Sequence, residues 1–312
     1  MTTASPIATP ARRMTLAAVT RGARARPKRV LIYGPEGVGK SSFGAAAPDP
    51  IFLGAEDGTA SLDVARFPQP QTWQDILDAV DTLTASEHPY DSLVIDSLDW
   101  AEPLAWSAVC AAGAKKSIED FGYGKGYVAA VDLWRGLLAR LDILRDRRGM
   151  HVVLVAHAAV RRFQNPEGED FDRYSIKLHE KSAGPIKEWS DAVLFATWET
   201  LTRETESGRN KGVHTGRRVL YTERHAAWDA KNRFGLPPVL PLEWAAFEDG
   251  VRLALEVGDE VERLMSLVDD DTRTKAKAWL GARHRLPHEL AEMVAKLRVK
   301  VPALPAVKGG AK

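Results

Sequence analysis

The segment Gly34-Pro-Glu-Gly-Val-Gly39-Lys40-Ser41 has the spacing G-x-x-x-x-G-K-S. It follows a short apolar run, Arg29 to Tyr33, and precedes a helical pattern, which is the context this spacing requires. Glycines let successive backbone N–H groups turn inward around phosphates, and the following helix adds its positive end. The Lys40 ammonium can reach β- and γ-phosphates, and the Ser41 hydroxyl can ligand magnesium. Gly34, Pro35, Glu36, Gly37, Val38, Gly39, Lys40, Ser41 and Ser42 are therefore the candidate nucleotide-binding residues, with ATP and Mg2+ as the cofactors.

Three further residues stand where apolar runs end. Ser92-Leu-Val-Ile-Asp96 puts a carboxylate at the end of a buried strand, suited to hold magnesium through water beside the phosphate loop. The next residue is Ser97, so a water-activating carboxylate has to come from elsewhere. Glu56, in Phe52-Leu-Gly-Ala-Glu56-Asp57-Gly58, ends a second apolar run and can accept a proton from water. Glu56 and Asp57 also read as turn residues before Gly58. His157, after Val155-Ala156, can contact a γ-phosphate and report its loss, or simply face solvent. Lys40, Glu56 and His157 are the catalytic candidates, and Ser41 and Asp96 the metal ligands.

Positioning these residues takes a parallel sheet. Arg29–Tyr33, Ile51–Gly54, Ser92–Ile95, His151–Ala156 and Ala192–Thr197 are continuous apolar runs. Between them, Trp73–Leu83 and Tyr127–Leu144 carry apolar residues at helical spacing. Such runs alternating with amphipathic helices predict an α/β fold with both sheet faces covered. Arg217–Glu223 and Ala227–Lys231 read as a late β-hairpin, antiparallel to the sheet edge. The chain divides into a basic flexible arm over 1–28, an ATPase core over 29–257, a small helical appendage over 258–300 and a disordered tail over 301–312.

Composition sets limits on function. The formal net charge is +1, so polyanion binding has to come from local patches. Residues 1–29 are one such patch, with Arg12, Arg13, Arg21, Arg24, Arg26, Lys28 and Arg29 and no acid. A solvated arm or a nucleic-acid contact both fit it. Cys110 is the single cysteine, which excludes an intrachain disulfide and suits a reducing compartment. No apolar run approaches the roughly 20 residues that span a bilayer.

The order of phosphate loop, strand ending in Glu56, strand ending Asp96-Ser97 and strand ending in His157 resembles RecA-type proteins. Ala230-Lys231-Asn-Arg233-Phe-Gly-Leu-Pro237 looks like the RecA segment that projects basic residues into a neighbour's ATP site. With Gly122–Tyr127 (GYGKGY), the chain resembles phage-encoded RecA-like ATPases of the single-strand-annealing (Sak) type over roughly residues 28–245. It departs from RecA at His157, at Arg233 and in a phosphate-loop helix halted by Pro48. The resemblance implies a RecA-like P-loop core that hydrolyses ATP, stimulated by DNA, and that acts in DNA recombination or annealing on single-stranded DNA. It further implies a homo-oligomer, ring or filament, with Lys231 and Arg233 acting in trans. A single-stranded-DNA-binding protein is a further partner, and the location is the cytoplasm of a bacterial host. The phage setting also sets aside the mitochondrial-presequence composition of the arm.

Two loops of the resembling proteins face DNA. Here they would carry Lys115, Lys116, Tyr123, Lys125 and Tyr127 within 110–127, and Arg161, Arg162, Phe163, Arg173, Tyr174 and Lys177 within 158–181. Basic groups among aromatics suit single strands, through phosphate contact and base stacking. The second segment also holds Glu167, Glu169, Asp170 and Asp172, which oppose that. A ring helicase or loader motor and a non-catalytic ATP-dependent switch are the competing readings. No helicase-type companion domain is recognisable in the sequence.

Overall fold

A computed structural model describes residues 15–19, 26–54, 61–204, 210–281 and 287–300. Its strands are β1 (Arg29–Gly34), β2 (Pro50–Gly54), β3 (Ala65–Arg66), β4 (Ser92–Asp96), β5 (His151–Phe163), β6 (Phe171–Ile176), β7 (Ala192–Glu204), β8 (Asn210–Tyr221), β9 (Lys231–Asn232) and β10 (Val239–Pro241). The helices are α1 (Lys40–Ala45), α2 (Trp73–Ala85), α3 (Leu98–Ala112), α4 (Lys125–Arg148), α5 (Glu180–Trp189), α6 (Trp244–Leu267), α7 (Asp270–Gly281) and α8 (Pro287–Lys300).

The main sheet runs β3-β2-β4-β5-β1-β7-β8-β10, parallel from β3 to β7 and antiparallel beyond. Its strands serve two cores. Leu31, Tyr33, Leu93, Ile95, Val152 and Leu154 face α2–α5, while Val30, Ile32, Val94, Val153 and Val155 face α1 and α6. Burial on both faces is why these strands are continuously apolar. β1 is central, and β5 separates it from the Asp96 strand β4. This is the RecA-like P-loop arrangement, a mixed α/β core with a mainly parallel sheet.

The phosphate-loop helix α1 has only six residues, too short to cover its face of the sheet. α6 covers the remainder. Trp244 and Phe247 pack on Phe43 with ring centroids 5.3 and 6.0 Å apart. Each buried aromatic of this kind is worth roughly 1.5–3 kcal/mol. α6 runs without a break through Gly258, so the core and the appendage share one helix. Its far end packs Val261 and Leu264 against Leu280, Leu290, Met293 and Leu297 of α7 and α8.

The late hairpin differs in its strands from the expected one. β8 pairs with β7 and β10, whereas the stretch after Glu223 turns and only Lys231–Asn232 forms a strand, against β7. Residues 158–176 also differ from expectation: they form not a loop but a β-hairpin, in which β5 continues past the sheet and pairs with β6. Most of the basic arm and the tail after Lys300 lie outside the described residues.

Candidate nucleotide-binding site

The phosphate loop is shaped by what its glycines permit. A Cβ on Gly34 would collide with the Ala196 carbonyl oxygen of β7, so glycine lets β1 and β7 close at that level. Gly37 and Gly39 take φ of 73° and 108°, left-handed conformations that side chains rarely adopt. Val38 is buried in the α1-side core and anchors the loop, while Glu36 and Gly37 form its exposed apex. Pro35 is half-buried before them. Lys40 is buried, and its Nζ donates to the carbonyls of Gly34 at 3.1 Å and Pro35 at 2.8 Å. In this conformation the ammonium is folded onto its own loop. Ser41 and Ser42 follow on the first turn of α1.

Asp96 ends β4 and is buried. Burial pushes its carboxyl above the usual range, offset in part by the Ser41 hydroxyl and by the charges of Lys40 and His157. Among the described residues, its enclosed Oδ2 has no hydrogen-bond partner. A buried orphan carboxylate oxygen beside a serine hydroxyl fits a hydrated magnesium ion, with Ser41 as direct ligand and Asp96 acting through water.

His157 ends the sheet portion of β5, in register with Gly34 of β1. Its backbone N–H and its ring Nδ1 both meet Asp99, at 3.0 and 2.8 Å. Asp99 lies in the first turn of α3, and its side chain is 5% exposed. Burial raises its carboxyl, but the His157 hydrogen bonds and charge outweigh that and hold it below the ordinary range. A carboxylate so placed keeps the Nδ1 proton and leaves Nε2 for another partner. Asp99 was not singled out in the sequence, because its partner is 58 residues away.

Glu56 lies outside the described residues. Glu102, another buried carboxylate on α3, accepts the His179 N–H on both oxygens at 3.1 and 3.0 Å. Both of its oxygens face the start of α5.

The proposed DNA-facing residues divide into engaged and exposed ones. Arg173 is buried, with Nη2 on the Trp228 carbonyl at 3.0 Å and Asp229 at 3.2 Å, so it braces the hairpin and is withdrawn from the surface set. Tyr127 is stacked on His179 at 3.9 Å and abuts Trp106, with its hydroxyl on Glu119, so its ring is also spent. Phe163 pairs with Phe171 and lies under the Arg173 guanidinium. Arg161 is exposed but donates to the Leu178 carbonyl. Lys115, Lys116, Lys125 and Lys177 are exposed; Arg162 is exposed but pairs with Asp172 across the hairpin at 3.8 Å, and Tyr174 is partly exposed with its ring against Phe195. Tyr123 protrudes completely, between two glycines that share its positive φ. Lys181 Nζ reaches the Gly124 carbonyl at 3.5 Å, so the two segments adjoin.

Lys231 and Arg233 lie at the other end of the sheet, where β9 meets the start of β7. Lys231 Nζ donates to the carbonyls of Lys187, Glu188 and Ser190 at 2.7–2.9 Å, closing the C-terminus of α5. Arg233 pairs with Asp191 at 3.3 Å. Neither can reach the phosphate loop of its own subunit.

The sequence is 21% identical over 256 residues to the SPbeta prophage-derived uncharacterized protein YorG of Bacillus subtilis (strain 168), covering 79% of this chain and 72% of that protein. The crystal structure of the RadB recombinase superposes with a TM-score of 0.37 at 12% identity, over 64% of this chain and 82% of that one. Residues 26–234 match the family AAA_24, described as an AAA domain. That span is most of the chain and contains the whole phosphate site, and the chain belongs to this family of P-loop, nucleotide-binding AAA domains.

Proposed function

We propose that this protein binds ATP with magnesium, hydrolyses it, and acts in DNA recombination or annealing through ATP-coupled binding of single-stranded DNA. The observation that supports this most is shared placement. The phosphate loop, Asp96 and the root of the β5–β6 hairpin lie at one edge of the sheet. Lys40 turns from its loop carbonyls to the β- and γ-phosphates. Ser41 directly and Asp96 through water would hold magnesium, which would supply charge neutralisation at those phosphates. Glu56 accepts the proton of the attacking water. His157, fixed by Asp99, places Nε2 toward the γ-phosphate.

The exposed hairpin face carries Val160, Arg162 and Tyr174, and Tyr123 stands on the adjoining turn. Arginine among exposed rings suits unpaired bases and their phosphates. The prophage-derived relative supports a phage setting and a bacterial host cytoplasm. Among the described residues no helix is long and apolar enough to cross a membrane. A homo-oligomer, ring or filament, would let Arg233 serve a neighbour's site.

The test is ATP turnover with and without single-stranded DNA, on wild type and Lys40→Ala. DNA-stimulated turnover that Lys40→Ala abolishes, with the fold intact, is the expected result. Undiminished turnover in Lys40→Ala would overturn the site assignment. ATP binding without turnover in the wild type would favour a nucleotide switch.

A further inference from the structure

Strand β8 places a second cation on the phosphate loop. Leu220 of β8 is buried in the α1-side core, so Arg218, two residues earlier, lies on the same face. β8 is antiparallel to β7, and this step leads from the core toward the edge that carries the phosphate loop. There Arg218 Nη1 is 3.4 Å from the Val38 carbonyl oxygen. A Cβ on Gly39 would stand 2.7 Å from the same nitrogen and 3.6 Å from Leu242 Cδ2. The guanidinium therefore lies against the Val38–Gly39 bend of the phosphate loop. Arg218 is exposed, and among the described residues no carboxylate stands within ion-pair distance of it. By contrast, Arg29, Arg145, Arg148 and Arg173 each have an acidic partner. An arginine held on an anion-binding loop with no carboxylate to neutralise it matches a polyphosphate.

We propose that Arg218 is a phosphate-binding residue acting in cis, its guanidinium contacting the polyphosphate chain of the nucleotide held by its own subunit's loop. The proposal rests on the nucleotide-site reading above. It differs from the role of Lys231 and Arg233, which requires a neighbour. Contact beside Gly39, and not at the far end of α1, directs the fork to phosphate oxygens instead of the base. Two N–H groups from one planar fork suit that ligand better than a lysine would. Di- and triphosphates should benefit alike.

The experiment measures affinity of the full chain, with magnesium, for ATP, ADP and inorganic tripolyphosphate. Wild type, Arg218→Ala, Arg218→Lys and Lys40→Ala are compared, with thermal unfolding as the check on folding. Arg218→Ala should weaken all three ligands by a common factor of about ten or more, and Arg218→Lys by less, as expected for loss of a charge-assisted hydrogen bond. Wild-type affinity in folded Arg218→Ala overturns the proposal. So does a loss confined to ATP and ADP, because that places the contact on base or ribose. If Arg218→Ala does not fold, Arg218→Lys decides: unchanged affinity for all three ligands overturns the bidentate contact. Failure of wild type to bind ATP, or full binding by Lys40→Ala, would instead refute the nucleotide site itself.

Discussion

Replacing Asp99 by asparagine tests whether a buried carboxylate serves the chemistry through His157. The two side chains match in volume, so no cavity opens. Asp99 accepts from the His157 backbone N–H at 3.0 Å and from the ring at 2.8 Å. An asparagine that keeps the backbone contact with its oxygen must turn its NH2 toward Nδ1. That group donates, so the neutral imidazole has to move its proton to Nε2. One charge-assisted hydrogen bond is lost, worth about 1.5–3 kcal/mol. If the correct ring state matters only at the transition state, kcat falls roughly 10- to 150-fold. The affinity for ATP then stays within about twofold, because ground-state contacts are untouched. Steady-state turnover, ATP titration and urea unfolding measure the three quantities. A kcat within about twofold of wild type, at unchanged stability, would refute the reasoning and make the Asp99–His157 contact purely architectural.

Further predictions address stability, assembly and the missing base. His151 accepts the Lys28 N–H on Nδ1, and burial, helped by the Lys28 charge, lowers its pKa from 6.5 to about 4. The unfolded chain then binds the extra proton between those values, so stability is full above about pH 6.5 and falls as pH drops toward 4. The shift corresponds to about 3 kcal/mol, and partial solvent access reduces this to about 2. His151→Asn keeps an acceptor for Lys28 and should flatten urea-unfolding stability across that window; an unchanged pH slope would show that other groups cause it. Mixing Arg233→Ala with Lys40→Ala subunits should restore part of the lost turnover if Arg233 acts in trans. Lys231 is unsuitable for that mixture, because its loss would expose the α5 carbonyls. Glu56→Gln should keep ATP affinity while lowering turnover, and a larger effect of Asp57→Asn would name the other carboxylate.

The legible parts of the sequence were those where one local rule sufficed. Burial on both faces made β1, β4 and β5 read as continuous apolar runs, and glycine spacing located the phosphate loop. α3 and α5 escaped, and each has a proline inside it, Pro103 and Pro185. Proline removes a helix hydrogen bond and reads as a break, yet tertiary packing holds both helices together. The hairpin had a signal: Asn165-Pro-Glu-Gly168 between alternating stretches. The resemblance to proteins with a DNA-facing loop at that place made it read as loop. Asp99 and Arg218 left no sequence signal, since each derives its position from a strand distant in the chain. Lys231 shows the converse. Its spacing from Arg233 is as expected, but three helix-end carbonyls already occupy its ammonium.

Under the proposed function, α3 explains how nucleotide could govern the hairpin. The helix begins immediately after Asp96, with Ser97 as its N-cap. Within its first two turns it presents Asp99 to His157, where β5 leaves the sheet. One turn later it presents Glu102 to His179, where the chain returns from β6. The Lys177 N–H closes the base of the hairpin on the His157 carbonyl at 2.9 Å. Both roots of the hairpin are therefore fastened to one helix whose N-cap, Ser97, follows Asp96, the proposed metal-site carboxylate. His179 also stacks on Tyr127, which ties in the turn carrying Tyr123. A ligand shifts such an assembly only by the difference in its contacts with two arrangements. On that reading Asp96 would supply the difference, since its buried Oδ2, which has no hydrogen-bond partner among the described residues, would face a hydrated cation when nucleotide binds. On the same reading the difference would arise at the head of α3, and the hairpin would respond by changing its order with the sheet unchanged.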